Sequence, residues 1–97
     1  MAQVKWRERA IVDIEHLHSF LYEKDNSAAS KMALTISHAA SLLETSPRIG
    51  RPMGDETGRR ELFIPFGAGA YVIRYKLLGE DTVLIIRVWH NKETRTD

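Results

Sequence analysis

The chain contains no cysteine. That absence excludes disulfide scaffolds, thiolate zinc sites, iron–sulfur clusters and cysteine nucleophiles, and it fits a reducing compartment. Long apolar runs are missing too. The longest span a few residues, far short of what a bilayer crossing needs, so no membrane partner is expected. The opening MAQVKWRERA is polar and charged. It has no apolar h-region, so no signal peptide and a cytoplasmic location are expected. A surplus of one charge is also absent: 14 Lys+Arg stand against 13 Asp+Glu, a net of +1. Such a balance argues against a protein whose whole surface grips a polyanion. Disorder is not expected either, because 43% of residues are hydrophobic and the net charge is small. The 97 residues make one domain, over 1–97, with a single core. At this size somewhat over ~60% of the unfolded chain's surface becomes buried, and no deep internal pocket is expected.

Two periodicities divide what is there. From Arg7 to about Leu43 the apolar residues recur at helical spacing. Ala10, Ile14, Leu17 and Leu21 fall on one stripe, widened by Ile11 and Phe20. The polar run Lys24-Asp25-Asn26-Ser27 interrupts it, with Asn26 or Ser27 as the expected N-cap of a second helix. Ala29, Met32, Ile36, Ala39, Ala40 and Leu43 form that helix's stripe, and Ser46-Pro47 ends it. The pair reads as an antiparallel helical hairpin. Residues 47–58 form a loop that holds two of the three prolines and three of the six glycines.

The rest reads as strands, at 61–66, 70–77 and 82–89, with turns at Gly67-Ala68-Gly69 and Gly79-Glu80-Asp81. In the middle strand Tyr71, Ile73 and Tyr75 face one way, and Val72, Arg74 and Lys76 the other. The last strand is apolar at both parities, the pattern of a strand covered on both faces. Residues 3–6 add a short edge strand. The expected fold is α+β: an N-terminal antiparallel helical hairpin on a small antiparallel sheet.

Arginines are the residues that suggest chemistry. Arg60 opens the first strand, Arg74 and Arg87 sit in the next two, and Arg51 and Arg59 lie in the loop before them. Adjacent strands lie about 5 Å apart, so their guanidinium groups can converge on phosphate, carboxylate or an oxyanion. By alternation Arg60 shares a face with Leu62 and Ile64, and Arg87 with Ile85 and Trp89. The plainer alternative is a solvated sheet face, with Arg60 paired to Glu61 or Asp81. His90, directly after the third strand, is either a general acid or base or a cap on the strand end. His16 and His18 point to different helix faces and make a poor metal pair, and His38 lies on the polar side of its helix. No metal site or cofactor is expected. Trp6, Trp89, Tyr71 and Tyr75 suit a core before they suit base stacking. The charges of the first helix, Asp13 among them, read as a solvated mixed-charge face.

In this order these features resemble the RelE/ParE superfamily of toxins from type II toxin–antitoxin systems. The resemblance covers nearly the whole chain. It rests on Trp6, A-x-x-D-I from Ala10, Ala28-Ala29, L-L-E-T-S-P-R-I-G-R-P from Leu42, R-R-E-L from Arg59, Y-V-I-R-Y from Tyr71 and I-I-R-V-W-H from Ile85. The superfamily implies a labile antitoxin wrapped around the toxin, as a hetero-oligomer, with a toxin homodimer as the other assembly. It implies one of two activities. RelE-branch toxins cut messenger RNA in the ribosomal A site, which would cast Arg60 and Arg87 as phosphate stabilisers and His90 as acid or base. ParE-branch toxins inhibit DNA gyrase.

Gly-Arg-Pro, Arg-Arg-Glu-Leu and Ile-Arg-Val-Trp-His are closer to ParE-like sequences. The net charge of +1 is low for a ribosome-docking nuclease, and no tyrosine follows the histidine. The expectation is therefore a ParE-like gyrase inhibitor that arrests growth, with Arg51, Arg59, Arg60, Arg74, Arg87 and His90 as target-binding candidates. The alternatives are a RelE-like endonuclease acting on ribosome and mRNA, and an inactive homologue that only binds antitoxin.

Overall fold

The computed structural model describes residues 1–92. Positions 93–97 lie outside it, and with them most of the segment after His90 that was read for its lack of a tyrosine. The order of elements is β1 (Gln3–Trp6), α1 (Glu8–Lys24), α2 (Asn26–Thr45), β2 (Arg51–Pro52), β3 (Arg59–Phe66), β4 (Gly69–Leu78) and β5 (Thr82–His90). The strands form one sheet in the order β1-β5-β4-β3-β2. Strands β2 to β5 pair antiparallel. β1 runs parallel to β5, with Val4 opposite Val83 and Trp6 opposite Ile85. The sheet is thus mixed rather than wholly antiparallel. A parallel neighbour needs a long crossover, and the helical hairpin lies on the path from β1 to the meander. The two-residue strand β2 falls inside the expected loop.

Both helices lie on the sheet face that carries Tyr71, Ile73 and Tyr75. Leu17, Met32, Ile36, Ala39 and Leu43 join these residues and Leu62, Val83, Ile85 and Val88 in one buried cluster. The second stripe is buried as its spacing predicts, apart from Ala40, which is half-buried. The first is narrower, because Ile11 and Phe20 are each 46% exposed. The hinge between the helices is also shorter than expected. Asp25 alone is extended (φ −165°, ψ 104°). Its N–H closes α1 on the Leu21 carbonyl, and its carboxylate accepts from Ser27 N at 3.0 Å. Asp25, not Asn26 or Ser27, is therefore the cap, because those two already carry helical amides of the first turn.

β5 departs from simple alternation. Arg74 pairs with Arg87, but the next residue, Tyr75, pairs with Ile85. Ile86 is an extra residue, a β-bulge. It shifts the parity, so that Val83 and Ile85 before it and Val88 and His90 after it share the helix-covered face. This shift, not helices on both faces, explains the apolar residues at both parities. It also separates Arg87 from Ile85 and leaves it on the open face with Trp89.

Candidate functional site

The open face of the sheet gathers charge in one transverse row. Arg51 on β2 is in register with Glu61 on β3, Glu61 with Arg74 on β4, and Arg74 with Arg87 on β5. Arg74 donates from Nε and Nη2 to Glu61 Oε2 at 3.0 and 2.8 Å. Its guanidinium lies 4.9 Å from the centroid of the Trp89 ring. Arg51 sits in the same way over Phe63, at 5.6 Å. An apolar row lies beside the charges, with Phe63 opposite Val72 and Val72 opposite Trp89. Val72 is only 2% exposed although neither α1 nor α2 covers this face. On the other side of the charged row, Arg59 is opposite Lys76, Lys76 opposite Leu84, and Leu84 opposite Lys5.

Arg87 reaches round the sheet edge. β1 ends opposite Ile85, so among the described residues β5 beyond that point has no strand neighbour on that side. Asp13 from α1 fills the place. It accepts from Arg87 Nε at 2.8 Å, Arg87 Nη2 at 3.2 Å and the Val88 backbone N–H at 2.9 Å. Asp13 is 8% exposed, and its pairing with Arg87 and the Val88 amide makes that burial tolerable. It is not part of a solvated face. The signal was present in its spacing: Asp13 stands three residues after Ala10 and four before Leu17, on the apolar stripe itself.

Arg60 and His90 face the helices. Arg60 is in register with Tyr75, and its Nη1 donates to the carbonyls of Arg48 (3.1 Å) and Gly50 (2.7 Å) rather than to Glu61 or Asp81. The Tyr75 hydroxyl donates to the Pro47 carbonyl and accepts from Gly50 N, both at 2.8 Å. Burial pushes the Tyr75 phenol above its ordinary value near 10, against the opposing pull of the Gly50 amide and the Arg60 charge. His90 is 8% exposed and stands edge-on to Tyr71, 5.1 Å between centroids. Its Nδ1 accepts from Lys92 N at 3.2 Å. That assigns the ring hydrogen to Nε2, which donates to the Phe66 carbonyl at 2.9 Å.

The sheet therefore brings together Arg51, Arg74 and Arg87, with Arg59 in the next row. It holds Arg60 and His90 on the opposite face and apart. Arg60 registers with Tyr75 and His90 with Tyr71, a separation of roughly 13 Å along the strand. Of the aromatics, Tyr71 and Tyr75 are fully buried and Trp6 packs on the core. Trp89 belongs to the open face. Among the described residues no three His, Asp or Glu side chains gather as a metal site.

Comparison with known proteins matches the same elements. A family model described as ParE toxin of the type II toxin–antitoxin system parDE matches residues 4–95. Toxin RelE1 of Caulobacter vibrioides is 42% identical over 87 residues, 90% of each chain. Toxin RelE3 of the same organism is 34% identical over 96 residues, covering 98% of this chain and all of its own. Among solved structures, a chain of the chromosomal ParDE system of P. aeruginosa superposes with a TM-score of 0.71 at 17% identity, over 93% of this chain and 96% of that one. YafQ of E. coli superposes with a TM-score of 0.55 at 13% identity, over 95% and 96%. The two helices on a five-stranded mixed sheet are the fold these chains share. On this fold, and on a family match that runs from β1 past the end of β5, the chain belongs to the ParE toxin family of type II toxin–antitoxin systems, within the RelE/ParE superfamily.

Proposed function

We propose that this chain is a single-domain toxin over residues 1–97 that acts by binding a protein target, DNA gyrase, and is neutralised by its cognate antitoxin. One observation carries the reading: the groups that an RNA-cleaving site would draw on are already committed inside the fold. Both ring nitrogens of His90 are hydrogen-bonded. Arg87 is held by Asp13, and Arg60 by the carbonyls of residues 48 and 50. Cleavage by the neighbouring 2′-hydroxyl needs a base, a cation at the phosphorane and an acid within reach of one phosphate. Arg60, Arg87 and His90 lie on two faces of the sheet. The net charge of +1 supports the same reading, since ribosomal RNA is engaged through a large cationic surplus.

In this reading the open face meets the target through Arg51, Arg59, Arg74 and the aromatic row, and the toxin works in the cytoplasm. For the antitoxin, the groove between α2 and the β3–β4 turn, where Leu34 is 71% exposed beside Pro65 and Phe66, offers apolar surface. Folding a disordered segment there recovers its ordering entropy.

The relatives named RelE favour a second reading, an mRNA endonuclease acting on the ribosome. Purified toxin added to a gyrase supercoiling assay and, in parallel, to a translating extract separates the two. Inhibited supercoiling with an intact message supports gyrase. Cut message with normal supercoiling supports the nuclease. Neither, with no growth arrest on expression, leaves an antitoxin-binding homologue.

A further inference from the structure

The loop before β3 is held from beneath by two core-side residues. Tyr75 grips both ends of the segment 47–50 through one hydroxyl, and Arg60 takes the carbonyls of residues 48 and 50. Gly50 fits because it has no side chain. A Cβ there would lie 2.5 Å from the Tyr75 hydroxyl oxygen. The held loop sets Arg51 over Phe63, 42% exposed, and places Ile49, 49% exposed, on the same concavity. Together with Glu61 and Leu62 these residues line an open concavity of about 420 Å³. Arg51 forms no ion pair among the described residues, because Glu61, its partner in register, is taken by Arg74. An exposed guanidinium stacked on an aromatic ring, beside an exposed aliphatic side chain, is the composition of a binding hot spot.

We propose that this concavity docks an acidic–apolar segment of the toxin's protein target, and that Tyr75 and Arg60 are positioning residues that hold it preformed. The charge calls for a carboxylate, and Ile49 and Phe63 call for an apolar side chain next to it. Nucleic acid fits less well, because the Phe63 ring that a base would stack on already carries Arg51. The antitoxin fits less well, because a segment that orders on binding needs a larger apolar area than this site provides. A fixed loop suits a folded target instead, since preorganisation lowers the cost of association.

The proposal rests on the binding-toxin reading above, and its test keeps the two apart. The probes are gyrase supercoiling, growth arrest on expression, and affinity for the cognate antitoxin by calorimetry. The exposed substitution Arg51→Glu should raise the half-inhibitory concentration about tenfold or more, weaken growth arrest, and leave antitoxin affinity within about threefold. Tyr75→Phe, which removes one hydroxyl, should weaken inhibition less, and the double variant should be no weaker than Arg51→Glu alone, because the tyrosine acts through the loop. Arg51→Glu that inhibits like the wild type overturns the proposal, as does an equal loss of antitoxin affinity. If the wild type spares gyrase yet arrests growth, the gyrase reading fails alone. Arg51→Glu that then spares growth while binding antitoxin supports the docking site, and arrest at wild-type strength overturns it. A wild type that does not arrest growth overturns both.

Discussion

Asp13 shows how one side chain can carry the junction of a helix and a strand. It joins α1 to β5 through a paired guanidinium and a backbone amide at an open strand edge. Removing one member of such a pair leaves the other desolvated, at a cost of about 3 kcal/mol or more. Asp13→Ala should therefore lower the unfolding free energy by about that amount in urea titration, whereas Asp13→Asn, which still accepts from Val88 N, should cost about half. Tyr75 gives a second prediction. Its phenol titrates above its ordinary value of 10.0 in the folded state, so the native chain keeps a proton that the unfolded chain has lost. The stability it contributes is complete below pH 10 and falls as pH rises through the folded value. The thermal midpoint of the wild type should drop more steeply than that of Tyr75→Phe above about pH 10. Residue types and positions were legible here, but partners were not. The arginines stood out, yet the choice of Arg74 over Arg60 as partner of Glu61 followed from strand register, which depends on contacts distant in sequence.

At the scale of elements, the helices were the most legible part because an apolar stripe at helical spacing is a local signal. Their junction was less so. Three consecutive polar residues, Asp25, Asn26 and Ser27, all suit a cap, and only the extended backbone at Asp25 decides among them. Asp25→Ala should cost about 1 kcal/mol and lower the thermal midpoint by about 4–8 °C, while Asn26→Ala should do little. Differential scanning calorimetry of the two variants checks both. Four of the five strands were legible almost to their bounds, and the two-residue β2 was not, because Arg51-Pro52 lies in a stretch of proline and glycine that reads as loop. Two of their features were hidden. The parallel pairing of β1 with β5 joins residues some eighty positions apart, Val4 with Val83 among them. The bulge at Ile86 looks, in sequence, like continuous burial, because shifted parity and burial on both faces leave the same string of apolar letters.

At the scale of the whole molecule, the near-neutral total conceals a polarised surface. The open face carries Lys5, Arg51, Arg59, Arg74, Lys76 and Arg87 with Glu61 as its in-register acid, although the chain as a whole is only +1. The division was faintly visible beforehand: residues 47–97 hold nine Lys+Arg against seven Asp+Glu, and residues 1–46 five against six. What composition could not convey was that the surplus would meet an aromatic row on one face. Such a surface steers and orients an acidic partner more than it binds by charge alone. The central claim is that this toxin binds its target and does not cut RNA. Its most direct test follows supercoiling by gyrase and the integrity of a translated message at the same dose of wild-type protein. The account predicts that supercoiling is lost while primer extension finds the message whole. Cuts at the ribosomal A site, with supercoiling untouched, would contradict it.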